Sequence, residues 1–354
     1  MRPQAGACSK GWVHGPRFSQ WCTSIPHAGP RKKEGHRYDS MHKRILHPFV
    51  ERYSSRDRRI RTHMDLLIDA DILACQFAYA YEASRSRTAD YDDDGDVDID
   101  DAGWAVEGFD SAVERMIGQT GTKDALLCFT GRSNFRYSIL PTYKASRRGK
   151  PKPVLLDALI EHARASWTCR EVDCLEADDV MGIMATKSPG RYVMATIDKD
   201  LKQIPGIHYD WRKERIKAIE PREADYWFYF QVLTGDSTDG YAGCPGIGVA
   251  RARKVLKGVS KDGIRDCTRD RVGGGIKGGM EAGTGDGSKG ITKGVTDHSW
   301  ARVVRAFESR GLTEEDALVQ ARVARILRVD DYDFAERQPI LWSPDSTCGC
   351  SQPT

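Results

Sequence analysis

The sequence predicts an α/β protein with a central, mostly parallel sheet covered by helices on both faces, continued by a helical C-terminal portion. Three observations point there. Leu66-Leu67-Ile68, Ala125 to Phe129 and Tyr192 to Ile197 are short continuous apolar runs, as expected of strands buried on both faces. Helical patterns lie between them, and alternating strands and helices imply parallel strands joined by crossovers. Further on, apolar residues recur at helical spacing in Trp300 to Phe307 and Glu314 to Leu327.

The first run ends in Asp69-Ala70-Asp71 and leads into a helix over Ile72 to Tyr81. Ligands of open α/β sheets gather beyond the carboxyl ends of the strands, where Asp69, Asp71, Asp198 and Asp200 are expected to emerge. The first 63 residues are rich in Arg, Lys, His, Ser and Pro and carry no acid before Glu34. They read as a disordered basic extension. It is either a basic arm or transit peptide, or translated sequence upstream of a start at Met64; the second reading is preferred because Met64 immediately precedes the first strand. The α/β domain is expected over 64–235 and a helical region over 236–345, interrupted by a Gly-rich, apolar-poor mobile loop at 258–294. A polar tail follows at 346–354, and no internal repeat is present.

With 354 residues, 40% apolar and 30% charged, the composition is that of a soluble globular protein. The net charge of +3 conceals basic clusters near 31–63 and 143–152 set against an acidic run from Asp90 to Asp101. Ten scattered cysteines lack zinc-ribbon spacing and disulfide-scaffold density, so reduced thiols in a cytoplasmic setting are expected, and Cys348-Gly349-Cys350 falls in the tail. No apolar run approaches the roughly 18 residues of a membrane span, and the expected protein is a monomer.

Acids recur at four element junctions: Asp69 after the first strand, Glu176-Ala177-Asp178-Asp179 opening a helix, Asp198-Lys199-Asp200 after a later strand, and Asp236 with Asp239 in a Gly-flanked turn. Each alone fits an ordinary cap or turn. Together they can face one end of a parallel sheet, where their repulsion is tolerable only if cations neutralise them. Hard oxygen ligands select magnesium, with manganese able to substitute, over zinc. Two such ions about 3.5 to 4 Å apart activate water and stabilise the leaving oxygen in phosphodiester hydrolysis, so a nuclease is the natural reading. Glu176 and Asp179, at i and i+3, share a helix face and can address one ion, with Asp178 angled differently. Asp198 and Asp200 share a side if the strand geometry continues.

The ordered motifs LLIDAD, FRYSILPTYKASRR, LEADDV, TIDKDL and TGDSTDGYAGCPGIG resemble the flap endonuclease and 5' exonuclease family, which includes the 5'-nuclease domain of bacterial DNA polymerase I. The segments YKASRRGKPKP, LEADDVMGIMA, DYWFYFQVLTGDSTDGYAG and TEEDALVQARVARILR, followed by Leu341-Trp342, are similar to the exonucleases of short-tailed phages and extend the likeness over nearly all of 65–343. The resemblance implies a three-layer PIN-like 5'-nuclease domain with a helix-hairpin-helix-like element in the C-terminal DNA-binding region. It implies a first metal on Asp69, Glu176, Asp178 and Asp179, and a second formed or supported by Asp198, Asp200, Asp236 and Asp239. It also implies a mobile arch over about 132–152, from which Lys144 and Arg147 or Arg148 steady the scissile phosphate. Tyr143 would stack on a frayed terminal base, Lys150 would contact the backbone, and Phe135 and Arg136 would line the way in. Gly243, Gly246 and Gly248, with Arg251 and Lys254 on the following helix, correspond to the family's grip on duplex phosphates, with potassium as the bridging cation. On residues alone, a solvated helix face is the alternative for the basic segment, and an ordinary helix start is the preferred reading of the Gly-rich turn. One departure stands out: where the family places an acid after the second strand, this sequence has Thr130-Gly131-Arg132.

The implied activity is 5'-3' exonuclease action on duplex DNA in phage replication or recombination, in the host cytoplasm. Flaps and RNA:DNA hybrids are further implied substrates. The rivals are a PIN-type ribonuclease and a DNA-binding protein with an impaired metal site. Asp90 to Asp101 matches calcium-loop spacing, with acids at positions 1, 3, 5 and 9 and Gly at 6, but position 12 is Asp rather than Glu; a solvated acidic loop is the preferred reading.

Overall fold

The apolar run before Asp69 forms β1 (Asp65–Asp69), at the centre of a six-stranded sheet. The structure is a computed structural model that describes residues 64–88, 99–257 and 296–344. Chain order is β1, α1 (Ala70–Thr88), α2 (Ile99–Thr120), β2 (Ala125–Thr130), α3 (Arg136–Ile139), α4 (Leu156–Ser166), β3 (Cys169–Val172), α5 (Ala177–Lys187) and β4 (Tyr192–Ala195). Then come β5 (Gly206–Asp210), β6 (Arg215–Ile219), α6 (Pro221–Thr234), α7 (Val249–Val255), α8 (Thr296–Glu308) and α9 (Glu314–Ala324), with a small β7 (Tyr332–Asp333) and β8 (Gln338–Pro339) pair last.

The strand order is β3-β2-β1-β4-β5-β6, parallel except for β6, which is antiparallel to β5. Side chains alternate across the sheet as the pleat requires. Leu66 and Ile68 join the core beneath α1, α2 and α4, whereas Leu67 joins the core on the opposite face with Val180, Met181 and Ile183 of α5. Helices therefore cover both faces and make three layers. The chain winds outward from β1 to β3, then returns to the other side of β1 with β4. That reversal opens a crevice at the carboxyl ends of β1 and β4.

A further core unites Phe228, Tyr229, Val232 and Leu233 of α6 with Trp300, Phe307, Ala317 and Trp342. The last helix of the expected α/β segment thus packs with the C-terminal helices. The chain then returns to α5, where Ile326 and Leu327 complete the sheet's second face. Strand β4 stops at Ala195, two residues short of the predicted run, because Thr196 turns its hydroxyl to Asp69 and accepts the Asp198 N–H. The extension 1–63, residues 90–98 of the acidic run, the Gly-rich loop 258–294 and the tail 346–354 lie outside the described residues. Among the described residues no helix is long and apolar enough to cross a membrane. Cys75, Cys128, Cys169, Cys174 and Cys244 are free thiols.

Candidate active site

The crevice is built from the ends of β1, β2 and β4 and the start of α5. Asp69 ends β1 almost wholly buried; it accepts the Ile72 N–H at 3.3 Å and the Thr196 hydroxyl at 3.1 Å. Asp71, in the first turn of α1, accepts the Thr130 N–H at 3.0 Å. Asp198 accepts the Asp200 N–H at 2.8 Å, which folds the chain after β4 into a 3-10 turn rather than the extended path expected from the sequence.

These acids divide by their partners. Among the described residues no ion pair reaches Asp69, Asp71, Asp178 or Asp198, while Glu176, Asp179, Asp236 and Asp239 all hold cations. Burial, with repulsion from Asp71 and Asp198, pushes the Asp69 carboxyl up to about 8. Burial and the charges of Asp69, Asp198 and Glu176 raise Asp178 well above the usual range. Burial and Asp198 push Asp200 up to about 7, and burial raises Asp71. Glu176 behaves oppositely. Burial alone would raise it, but Lys144 and Arg136 outweigh burial and hold it at about 2.

The predicted first-site group is therefore split. Glu176 accepts from Lys144 Nζ, from the Tyr143 hydroxyl at 2.7 Å and from Arg136 Nη1 at 3.2 Å. Asp178 is the residue that faces Asp69 and Asp198. Asp179 does not share its site, contrary to the helix-face argument: it has no exposed surface and binds both Arg136 Nη atoms at 2.7 and 2.8 Å. It also accepts the N–H groups of Glu176 and Leu327, both at 3.1 Å. Its lone pairs are spent on capping α5 and fixing the C-terminal return. At the second predicted group, Asp236 takes Lys199 Nζ at 2.9 Å and the Thr238 N–H at 2.8 Å, and Asp239 takes Arg147 Nη2 at 2.8 Å.

Two predicted DNA contacts are corrected by burial, whereas Phe135 is half-buried. Arg136 is 2% exposed, and beyond Asp179 it donates to the carbonyls of Val323 and Arg325, so it is a buried cross-link. Tyr143 is likewise 2% exposed with its hydroxyl on Glu176, leaving no ring face for a base. Phe135 packs on the α5 core with the Arg136 guanidinium 4.5 Å above its ring. Gly243 is corrected too: at φ 65°, a Cβ would lie 2.3 Å from Gly235 N, and its N–H donates to Gln320 Oε1 at 2.8 Å. It locks a turn rather than offering an amide to phosphate.

Arg147, Arg148 and Lys150 are exposed along the crevice segment, with Arg148 Nη2 on the Pro141 carbonyl at 3.0 Å. Lys144 is partly buried between Glu176 and Asp239 at the left-handed φ of 50°. Gly246, Gly248, Arg251 and Lys254 are exposed around α7, where Arg251 Nη1 returns to the Gly246 carbonyl. At Gly131 the missing acid has a steric counterpart: a Cβ there would stand 2.2 Å from the Val172 carbonyl oxygen.

Asp71, Thr196 and Lys199 are site residues that the motif reading did not assign. Only Asp71 had a sequence signal, its place two residues after Asp69; the other two are joined to their partners by the fold. Among the described residues no three His, Cys, Asp or Glu side chains already surround a single metal position. Glu176, Asp236 and Asp239 turn to cations instead. The donor set is nevertheless oxygen-only, buried to half-buried and mutually repulsive, which suits a hard divalent cation.

The description "5'-3' exonuclease, N-terminal resolvase-like domain" matches residues 65–224. The exodeoxyribonuclease of Enterobacteria phage T3 is 32% identical over 243 residues, covering 62% of this chain and 74% of that protein. The exonuclease of Escherichia phage T7 is 32% identical over 231 residues, covering 62% and 73%. Among solved structures, the T5 D15 protein co-crystallised with metal ions aligns with a TM-score of 0.47 at 13% identity, covering 74% of this chain and 89% of that one. The chain belongs to the 5'-3' exonuclease family.

Proposed function

We infer that the protein is a divalent-metal-dependent 5'-3' exodeoxyribonuclease that hydrolyses phosphodiesters from the 5' end of duplex DNA during phage replication or recombination. The observation that carries this reading is the cluster of buried Asp69 with half-buried Asp178 and Asp198, which repel one another and have no ion-pair partner among the described residues. Asp69, Asp178 and Glu176 would hold one ion, and Asp198 and Asp200, supported by Asp236 and Asp239, the other. When bound, magnesium, or manganese in its place, supplies charge neutralisation, an activated water and stabilisation of the departing oxygen.

The chain's own residues prepare the substrate. Lys144 and Arg147 rest on Glu176 and Asp239, at the rim of the cluster. A scissile phosphate arriving there would take these cations as its partners, which frees the two carboxylates to turn inward. Arg148 and Lys150 extend the positive path for the strand, and Gly246, Gly248, Arg251 and Lys254 would grip the duplex beyond it. Burial of Asp69 keeps bulk water from screening its charge during cleavage.

The test is release of label from 5'-labelled duplex, flap and RNA:DNA hybrid substrates in magnesium or EDTA, beside Asp198→Ala. Cleavage by the wild type in magnesium, lost in EDTA and in the variant, is expected. Magnesium-independent cleavage or an unaffected variant would overturn the mechanism, and DNA binding without any cleavage would favour the binding-only rival.

A further inference from the structure

We propose that Asp71 is an additional carboxylate ligand of the cation site, supplying near the end of β2 the acid that position 131 does not provide; this rests on the nuclease reading above. Asp71 belongs to α1, yet its carboxylate reaches the end of β2, where Oδ2 accepts the Thr130 N–H at 3.0 Å. The Thr130 hydroxyl oxygen in turn accepts the Ala177 N–H at 3.2 Å. Thr130 therefore ties Asp71 to the first residue of α5, the helix that carries Asp178. Asp71 thus stands two residues from Asp69 and is tied through Thr130 to Ala177, the neighbour of both Glu176 and Asp178, with no ion pair of its own among the described residues.

The neighbouring backbone explains why the carboxylate comes from α1. At Gly131 a Cβ would stand 2.2 Å from the Val172 carbonyl oxygen and 3.0 Å from Asp173 Cα, while the Gly131 N–H is committed to the Leu175 carbonyl at 2.9 Å. A side chain at 131 would require the end of β3 to move, which a close-packed junction resists. Asp71 instead places Oδ2 on the backbone N–H of the residue immediately before that position. The Thr130 N–H needs only an acceptor, and asparagine would serve it as well. A negative charge there, next to Asp69 and Glu176, is useful to a cation rather than to the fold.

This difference makes the proposal testable. The full chain and Asp71→Asn are titrated with magnesium by calorimetry, and their melting midpoints are compared in EDTA. The expected result is an Asp71→Asn midpoint in EDTA equal to or above the wild type, with magnesium affinity weakened by about tenfold or more. Part of the lost cleavage should return at higher magnesium. Wild-type affinity in Asp71→Asn overturns the inference while leaving the nuclease reading intact; no magnesium binding by the wild type removes both. If Asp71→Asn melts early in EDTA, Asp71→Glu decides. Affinity recovered above that of Asp71→Asn supports a charged ligand, and affinity equal to it overturns the inference.

Discussion

Arg136 spends its guanidinium inside the protein, on both oxygens of Asp179 and on the carbonyls of Val323 and Arg325 at the end of α9. Its motif position near a basic segment suggested a DNA contact, but charge in sequence does not reveal which way a side chain turns. Breaking a buried pair from one side leaves the other charge uncompensated. Arg136→Met should therefore lose about 3 to 5 kcal/mol of stability, read as a lower urea midpoint, and an unchanged midpoint would refute the cross-link. His208 offers a second check, away from the crevice. Its Nε2–H donates to the Ile204 carbonyl at 2.8 Å, and burial holds the ring at about 4 instead of 6.5. The folded state stays neutral over a range where the unfolded chain takes up a proton. The His208 contribution to stability is thus full above 6.5 and is lost as pH drops towards 4, by roughly 3 kcal/mol in all. Because the raised carboxylates of the crevice act in the opposite direction over this range, the test is the difference: His208→Gln should gain stability relative to the wild type as pH falls from 6.5 to 4, and a difference that does not change with pH would argue against this role.

Strands β1, β2 and β4 were legible because both their faces are buried, which leaves continuous apolar runs. Strands β3, β5 and β6 were not. Cys169–Val172 contains Arg170 and Glu171, and Arg215–Ile219 at the sheet edge alternates exposed and buried residues, so neither stands out from a loop. The acids at the strand ends were equally legible, since Asp at a junction is visible in the sequence. Their division was not: Arg136, some 40 residues away, and the Leu327 N–H, still more distant, commit Asp179 to the fold, while Asp178 is left to the cluster. The junction of β2 with the end of β3 carries its own prediction. Gly131→Asp, which restores the acid expected from the resemblance, should cost about 1 to 3 kcal/mol because its Cβ meets the Val172 carbonyl. Urea unfolding measures it, and a variant as stable as the wild type with tighter magnesium binding would refute the steric account.

The winding of the sheet creates the site. By reversing between β3 and β4, the chain sets Asp69 and Asp198 on adjacent strand ends and lays the start of α5 across them, and this long-range closure is what local sequence patterns cannot show. It also stores a liability. With Asp69 near 8 and Asp200 near 7, the metal-free folded state retains protons that the unfolded chain has lost, so its stability falls as pH rises from about 4 towards 8. A cation that binds the ionised cluster must displace those protons. The decisive measurement is a calorimetric titration of the protein with magnesium at pH 7 in two buffers of different ionisation enthalpy. Binding is expected to release about one proton or more, and to be abolished together with 5'-label release in Asp198→Ala. Absence of magnesium binding, or binding with the same heat in both buffers, would show that the carboxylate cluster is not the cation site described.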